Sequence, residues 1–240
     1  MQVKIPKILG HIWVGTRAAP TELLDSWREF HPDWEYRLYD NDYLFSRTWR
    51  NQALIAEYYR VGRYSGVSDL MRYEILHEMG GFIPEADSRC LRATDDLWDM
   101  PHLYAVYENE EEVPGFISPF LASVPGHPYL DDVIAHIGRR WTPDTIRAPW
   151  KCVGNAFLAR RLQRHPAEDY TVFPSHYFIP TFRTGTKYKG DGPVYCEQLY
   201  GSTKSRLQIY PPRPENHEEL AQEGFEYLTG QRAYRGARAA

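Results

Sequence analysis

SDLMRYEILHEMGGFIPEAD (68–87) decides how this chain is read. Val67, Leu70, Met71, Ile75 and Met79 recur at helical spacing, so a helix is predicted over 66–79, ended by Gly80 and Gly81. Two adjacent glycines permit a tight helix-to-strand turn with positive φ. FIPEAD then reads as a strand that closes on Glu85 and Asp87. Residues two apart on a strand share a face, so with Phe82 and Ile83 buried the two carboxylates are expected to point outward at the strand end. Paired carboxylates there suit a hard divalent cation, which takes oxygen ligands and keeps positions open for phosphate and water. An isolated E-x-D is more often a solvated turn. The helix, glycine pair and strand around it favour the metal.

On both sides of this block, strand-like and helix-like segments alternate. ILGHIWVG (8–15), EYRLYD (35–40) and LYAVYE (103–108) are rich in β-formers, and FISPFLASV (116–124) is a further apolar segment. Helices are predicted over 19–30, with Leu23, Leu24, Trp27 and Phe30 on one face, and over 51–62, 127–141 and 154–165. YTVFPSHYFIP (170–180) is interrupted by proline and is expected at a sheet edge or in a loop. The alternation predicts an α/β sandwich with a largely parallel central sheet flanked by helices, whose ligands sit beyond the carboxyl ends of the strands. One domain is expected over 1–212, with a terminal helix and partly flexible tail over 213–240.

Composition is that of a soluble globular protein: 240 residues, 42% hydrophobic and 25% charged, with a net charge of −4 that argues against a general polyanion binder. Aromatics reach 15%, which fits stacking on sugars or bases as well as ordinary core filling. Cys90, Cys152 and Cys196 are odd in number and widely spaced, so neither a zinc site nor a disulfide framework is expected. No signal-peptide pattern or transmembrane segment is read, and a cytoplasmic location is expected. Nucleophile elbow, P-loop, G-x-G-x-x-G and H-E-x-x-H motifs are absent from the sequence.

Asp69 and Arg72 lie three apart on the predicted helix, as an ordinary ion pair or as a hydroxyl-binding pair beside the metal. Trp13, at a strand's carboxyl end, could stack a base or fill the core. His11, on the same strand face, is expected to be packed and hydrogen-bonded. Gly201-Ser202-Thr203 could close over a phosphate or be a plain loop.

Together and in this order, these segments resemble glycosyltransferase family 32. IPKILGHIWVG (5–15) is similar to that family's IPKIIHQIWLG start, and SWREFHPDWEYRLYD (26–40) to its S-W-x-x-x-x-P-x-[WY]-E-Y-x-L-W-D block. Residues 68–87 resemble its S-D-x-x-R-Y-x-x-L-x-x-x-G-G-x-Y-x-D-x-D signature, and SPFLASVPGHPYL (118–130) its N-x-x-[IL]-x-[AS]-x-P-x-H-P segment. The resemblance implies a GT-A fold, a UDP- or GDP-sugar donor, Mn²⁺ or Mg²⁺, and a retaining hexosyl transfer. Carried over by position, it implies Asp87 as metal ligand and Glu85 as ligand to metal and ribose. It implies Asp69 and Arg72 as the catalytic pair on donor ribose and sugar, Trp13 as the base-stacking aromatic, and Ser202 as the residue over the phosphates. The acceptor stays open among a glycan, a protein and a modified nucleic-acid base. Departures are Glu85 in place of the first Asp of D-x-D, Asn155 where proline usually follows Gly154, and a late loop without the family's histidines and second tryptophan. They motivate an alternative, a weak or inactive member that binds nucleotide-sugar or glycan.

Overall fold

The structure is a computed structural model that describes residues 5–100, 102–201 and 209–236. Its centre is a six-stranded sheet, built from β1 (Ile8–Ile12), β2 (Glu35–Tyr39), β3 (Gly81–Ile83), β5 (Leu103–Tyr107), β6 (Ile117–Ser123) and β7 (Tyr170–Phe173) in the order β2-β1-β3-β6-β5-β7. β1 pairs parallel with β2 and β3, and β5 parallel with β7. β6 alone runs antiparallel, between β3 and β5. The mixed α/β sandwich and its largely parallel sheet are therefore as expected, and β7 is the expected edge. Because β6 is inverted, the carboxyl ends of β1, β3 and β5 and the beginning of β6 share one edge of the sheet.

Helices cover both faces. α1 (Thr21–Phe30) buries Leu23, Leu24 and Trp27 under one face, whereas Phe30, expected beside them, is exposed at the helix end. α3 (Gln52–Arg60), α4 (Tyr64–Met79), α5 (Pro128–Arg140) and α7 (Asn155–Leu162) pack on the other. The two short helices are α2 (Asn41–Phe45), capped by the Asp40 carboxylate, and α6 (Pro149–Cys152). α8 (His217–Thr229) docks on α3 and α2, with Gly224 against the Tyr59 ring and Leu228 buried.

α4 is the organising helix. The expected apolar arc is present, but Asp69, Arg72 and Glu74 on its other sides are buried too, because the sheet, α3, α5 and α6 surround it. Glu74 accepts the backbone N–H groups of Arg50 and Asn51 and so satisfies the start of α3. At its end, Gly80 (φ 66°) and Gly81 (φ 96°) turn the chain straight into β3. A Cβ on Gly81 would lie 2.5 Å from the Ile8 carbonyl oxygen, so the turn needs glycine for space as well as for φ.

A second, two-stranded ribbon pairs β4 (Ser88–Cys90) antiparallel with β8 (Cys196–Gln198), in register Ser88 to Gln198 and Cys90 to Cys196. It ties the late part of the chain to the turn after β3. The three cysteines are free and buried. No helix among the described residues is long and apolar enough to cross a membrane.

Candidate active site

Trp13, Asp69, Arg72, Glu85 and Asp87 line one cleft of about 970 Å³ at the shared carboxyl edge of the sheet. β1 delivers Trp13, the turn after β3 delivers Glu85 and Asp87, and α4 delivers Asp69 and Arg72. Ser202 lies outside the described residues.

Arg72 is 3% exposed and links helix to strand end. One terminal nitrogen donates to Asp69 Oδ1 at 3.2 Å, the other to Glu85 Oε1 at 2.5 Å. Its Nε is buried without a partner among the described residues. The intrahelical pair left open by spacing is thus one arm of a triad whose third member, Glu85, is partly buried. Burial pushes the Glu85 carboxyl up to about 7, Arg72 opposing and Asp87 and Asp69 adding to it. Burial likewise pushes Asp69 up to about 6 against the pull of Arg72. Two carboxylates on one guanidinium, with Asp87 beside Glu85, leave surplus negative charge, which a cation would neutralise.

The expected outward aim of the two carboxylates is corrected. Glu85 turns back to Arg72. Asp87 is buried and accepts three hydrogen bonds: from Gln198 Nε2 at 2.8 Å, from the Gly201 N–H at 2.9 Å and from the Tyr210 hydroxyl at 3.1 Å. Both residues lie past the end of β3, in a turn closed by Ser88 onto the Glu85 carbonyl, so strand alternation no longer governs them. Gln198 was not foreseen. Only the β4–β8 register places it here, and three-residue strands leave almost no periodicity to read.

The site suits a divalent cation in part. No three His, Cys, Asp or Glu side chains converge as a ligand set among the described residues. Asp87, Glu85 and the Oε1 of Gln198, buried without a partner among the described residues, offer hard oxygens, and a site that borrows phosphate and water oxygens needs few protein ligands. The amide cannot be reversed, because its oxygen would then face the Asp87 carboxylate.

Trp13 follows the end of β1. Its indole N–H donates to the Arg17 carbonyl at 2.8 Å, and its ring meets the Tyr210 ring edge-on at 5.0 Å. The loop behind it is held by Asn41, whose amide both accepts from the Gly15 N–H and donates to the Gly15 carbonyl. His11 is fully buried against Trp27 and Tyr36, but neither ring nitrogen has a hydrogen-bond partner among the described residues, so the expected bond is absent there. Burial, with Arg72 nearby, lowers its pKa to about 3 and keeps it neutral. α7 begins at the cleft. Gly154 approaches so closely that a Cβ would lie 2.9 Å from Asp69 Oδ2, and Asn155 donates to Glu108 at 2.7 Å.

No family model matches the chain. Over 151 residues it is 25% identical to inositol phosphoceramide mannosyltransferase 2 of Schizosaccharomyces pombe, an alignment covering 58% of this chain and 41% of that protein. Its fold is similar to that of the solved PaToxG glycosyltransferase, with a TM-score of 0.58 over 96% of this chain and 89% of that one at 11% identity. Sequence similarity and fold thus agree with the resemblance read from the motifs: the chain has the GT-A glycosyltransferase architecture and a glycosyltransferase as a relative.

Proposed function

We propose that the chain is a metal-dependent, retaining glycosyltransferase that moves a hexose from a UDP- or GDP-sugar to an acceptor hydroxyl. The observation that carries this reading is the largely buried Asp69–Arg72–Glu85 triad beside Asp87, at the strand ends of a cleft large enough for a nucleotide-sugar. The similarity to a mannosyltransferase supports the transfer of a sugar.

Mn²⁺ or Mg²⁺, held by Asp87 and Glu85 with Gln198 adjacent, would supply charge neutralisation for the departing diphosphate. Arg72 is fixed at two of its nitrogens and sets its positive charge at the cleft for the donor. Asp69 orients that guanidinium and accepts from donor hydroxyls. Trp13 stacks the base. The same triad holds its charges in place before the donor arrives, so little reorganisation accompanies the reaction.

The test is donor consumption by the purified protein with Mn²⁺ and a panel of nucleotide-sugars. Turnover of one donor that Asp87→Ala abolishes is the expected result. A folded protein that neither binds nor consumes any donor would sink the proposal.

A second reading is a weak or inactive member that only binds nucleotide-sugar. It is favoured by one observation: three donors already occupy Asp87 while Glu85 is turned to Arg72. Tight nucleotide binding without turnover, and activity gained in Glu85→Asp, would select it.

A further inference from the structure

Three strands away from Trp13, at the carboxyl end of β5, the same cleft carries polar groups that the donor reading does not use. Glu108 follows β5 directly, as the Glu85 turn follows β3. Its carboxylate accepts from Asn155 Nδ2 at 2.7 Å and feels the positive charge of Arg183, while its backbone N–H is held by the Phe116 carbonyl. Tyr200 lies 8% exposed against the same groups. The Tyr200 hydroxyl is buried without a hydrogen-bond partner among the described residues, with the Arg183 backbone nearby.

Tyr200 also has φ 55°, the one positive φ at a non-glycine among the described residues. Strained backbone of this kind clusters at ligand sites. Here it lets Leu199 and Gly201 on either side donate to the Asp87 carbonyl and carboxylate while the Tyr200 side chain reaches the Glu108 end. At the rim, Trp150 is 48% exposed and its ring lies 6.4 Å from that of Phe116. All six of these side chains line the cleft.

We propose that Glu108, Asn155, Arg183 and Tyr200, with Trp150 lining the same cleft, form the acceptor subsite, and that it takes the ring of an uncharged sugar. The proposal rests on the glycosyltransferase reading above. One carboxylate and one guanidinium balance in charge, which suits a neutral ligand. A carboxylate, an amide, a guanidinium and a phenol offer paired acceptors and donors to neighbouring hydroxyls, and an exposed indole offers a face to the ring's C–H groups. A cleft of about 970 Å³ lies at the upper end of the range for one small ligand, roughly 300–1,000 Å³, and so has room beyond the donor. Asn155 is moreover a residue at which the chain departs from the motifs it resembles, and a proline there could not donate to Glu108.

The experiment supplies wild type, Glu108→Gln and Asn155→Ala with the nucleotide-sugar that wild type consumes, Mn²⁺, and either methyl hexosides or peptides bearing Ser, Thr and Tyr. Transfer to acceptor and hydrolysis to free sugar are measured together, with melting curves as a fold check. Methyl hexosides are expected to accept. Both variants should raise the acceptor KM about ten- to a hundredfold, the loss of a hydrogen bond to a charged group, and lower the ratio of transfer to hydrolysis. An unchanged acceptor KM, a parallel fall of transfer and hydrolysis, or transfer to peptides alone would overturn the proposal. A wild type that consumes no donor overturns the glycosyltransferase reading itself, a result visible before any variant is made.

Discussion

Replacing Arg72 by Met is the sharpest test of the site as a physical object. Arg72 is buried and its two terminal nitrogens bridge Asp69 and Glu85. Methionine fills similar volume and supplies no charge, so the buried Asp69 and the partly buried Glu85 are left unpaired. Breaking a buried pair from one side costs about 3–5 kcal/mol. For a chain of this size each kcal/mol moves the melting temperature by roughly 2–4 °C, so a fall of about 6–20 °C is expected at pH 8. The sign with pH follows from linkage. Without Arg72 the folded pKa values of both acids rise further, so the folded state takes up protons that the unfolded chain does not bind, and the penalty shrinks as pH falls toward 5. Arg72→Lys should be intermediate, since an ammonium cannot present two fixed nitrogens to two carboxylates. Arg92→Met is the control: its pair with Asp96 is exposed, and its loss should cost at most about 1 kcal/mol. Thermal melts of the four proteins at pH 5 and pH 8 decide the matter. An Arg72→Met protein that melts with wild type at pH 8, or loses the same amount at both pH values, would refute the reasoning.

In wild type, Glu85 displaced from 4.5 to about 7 should lower stability as pH rises through that window, by roughly 3 kcal/mol at most, and Glu85→Gln should flatten the slope in urea titrations between pH 4.5 and 8. A slope unchanged in the variant would place the titration elsewhere. Trp13→Ala should weaken UDP or GDP binding by about 1–3 kcal/mol in calorimetry, the usual loss of an aromatic stacked on a base, and an unaltered Kd would remove Trp13 from the base site. Glu74→Ala strands the buried N–H of Asn51 and frees that of Arg50, so a loss of about 2–4 kcal/mol is expected in denaturant melts. A loss below about 0.5 kcal/mol, the range of ordinary surface changes, would show that water replaces the carboxylate.

The block from Ser68 to Asp87 was legible because its punctuation is local: an apolar arc of period 3.6, two glycines with no tolerance for a side chain, then a short buried strand. Strand alternation misled at Glu85 and Asp87, since β3 ends at Ile83 and the following turn reorients both side chains. Gln198, Tyr200 and the Glu108–Asn155 contact were hidden for a different reason. Each depends on pairing between segments far apart in the chain, through strands of three residues or the first turn of a helix. His11 shows the limit of a generic rule, a core histidine whose ring nitrogens go unbonded among the described residues.

The inversion of β6 has a metrical consequence. β6 is the one strand between β3, which leads to the Asp87 turn, and β5, which leads to Glu108, and its inversion puts both of their ends on one edge. Neighbouring strands sit about 4.8 Å apart, so the two ends stand two steps, roughly 10 Å, from each other. The sheet acts as a ruler with coarse graduations. Its spacing can change only by a whole strand, so a longer or shorter acceptor must be met by side-chain length at positions such as 108, 155 and 183, not by sliding the backbone.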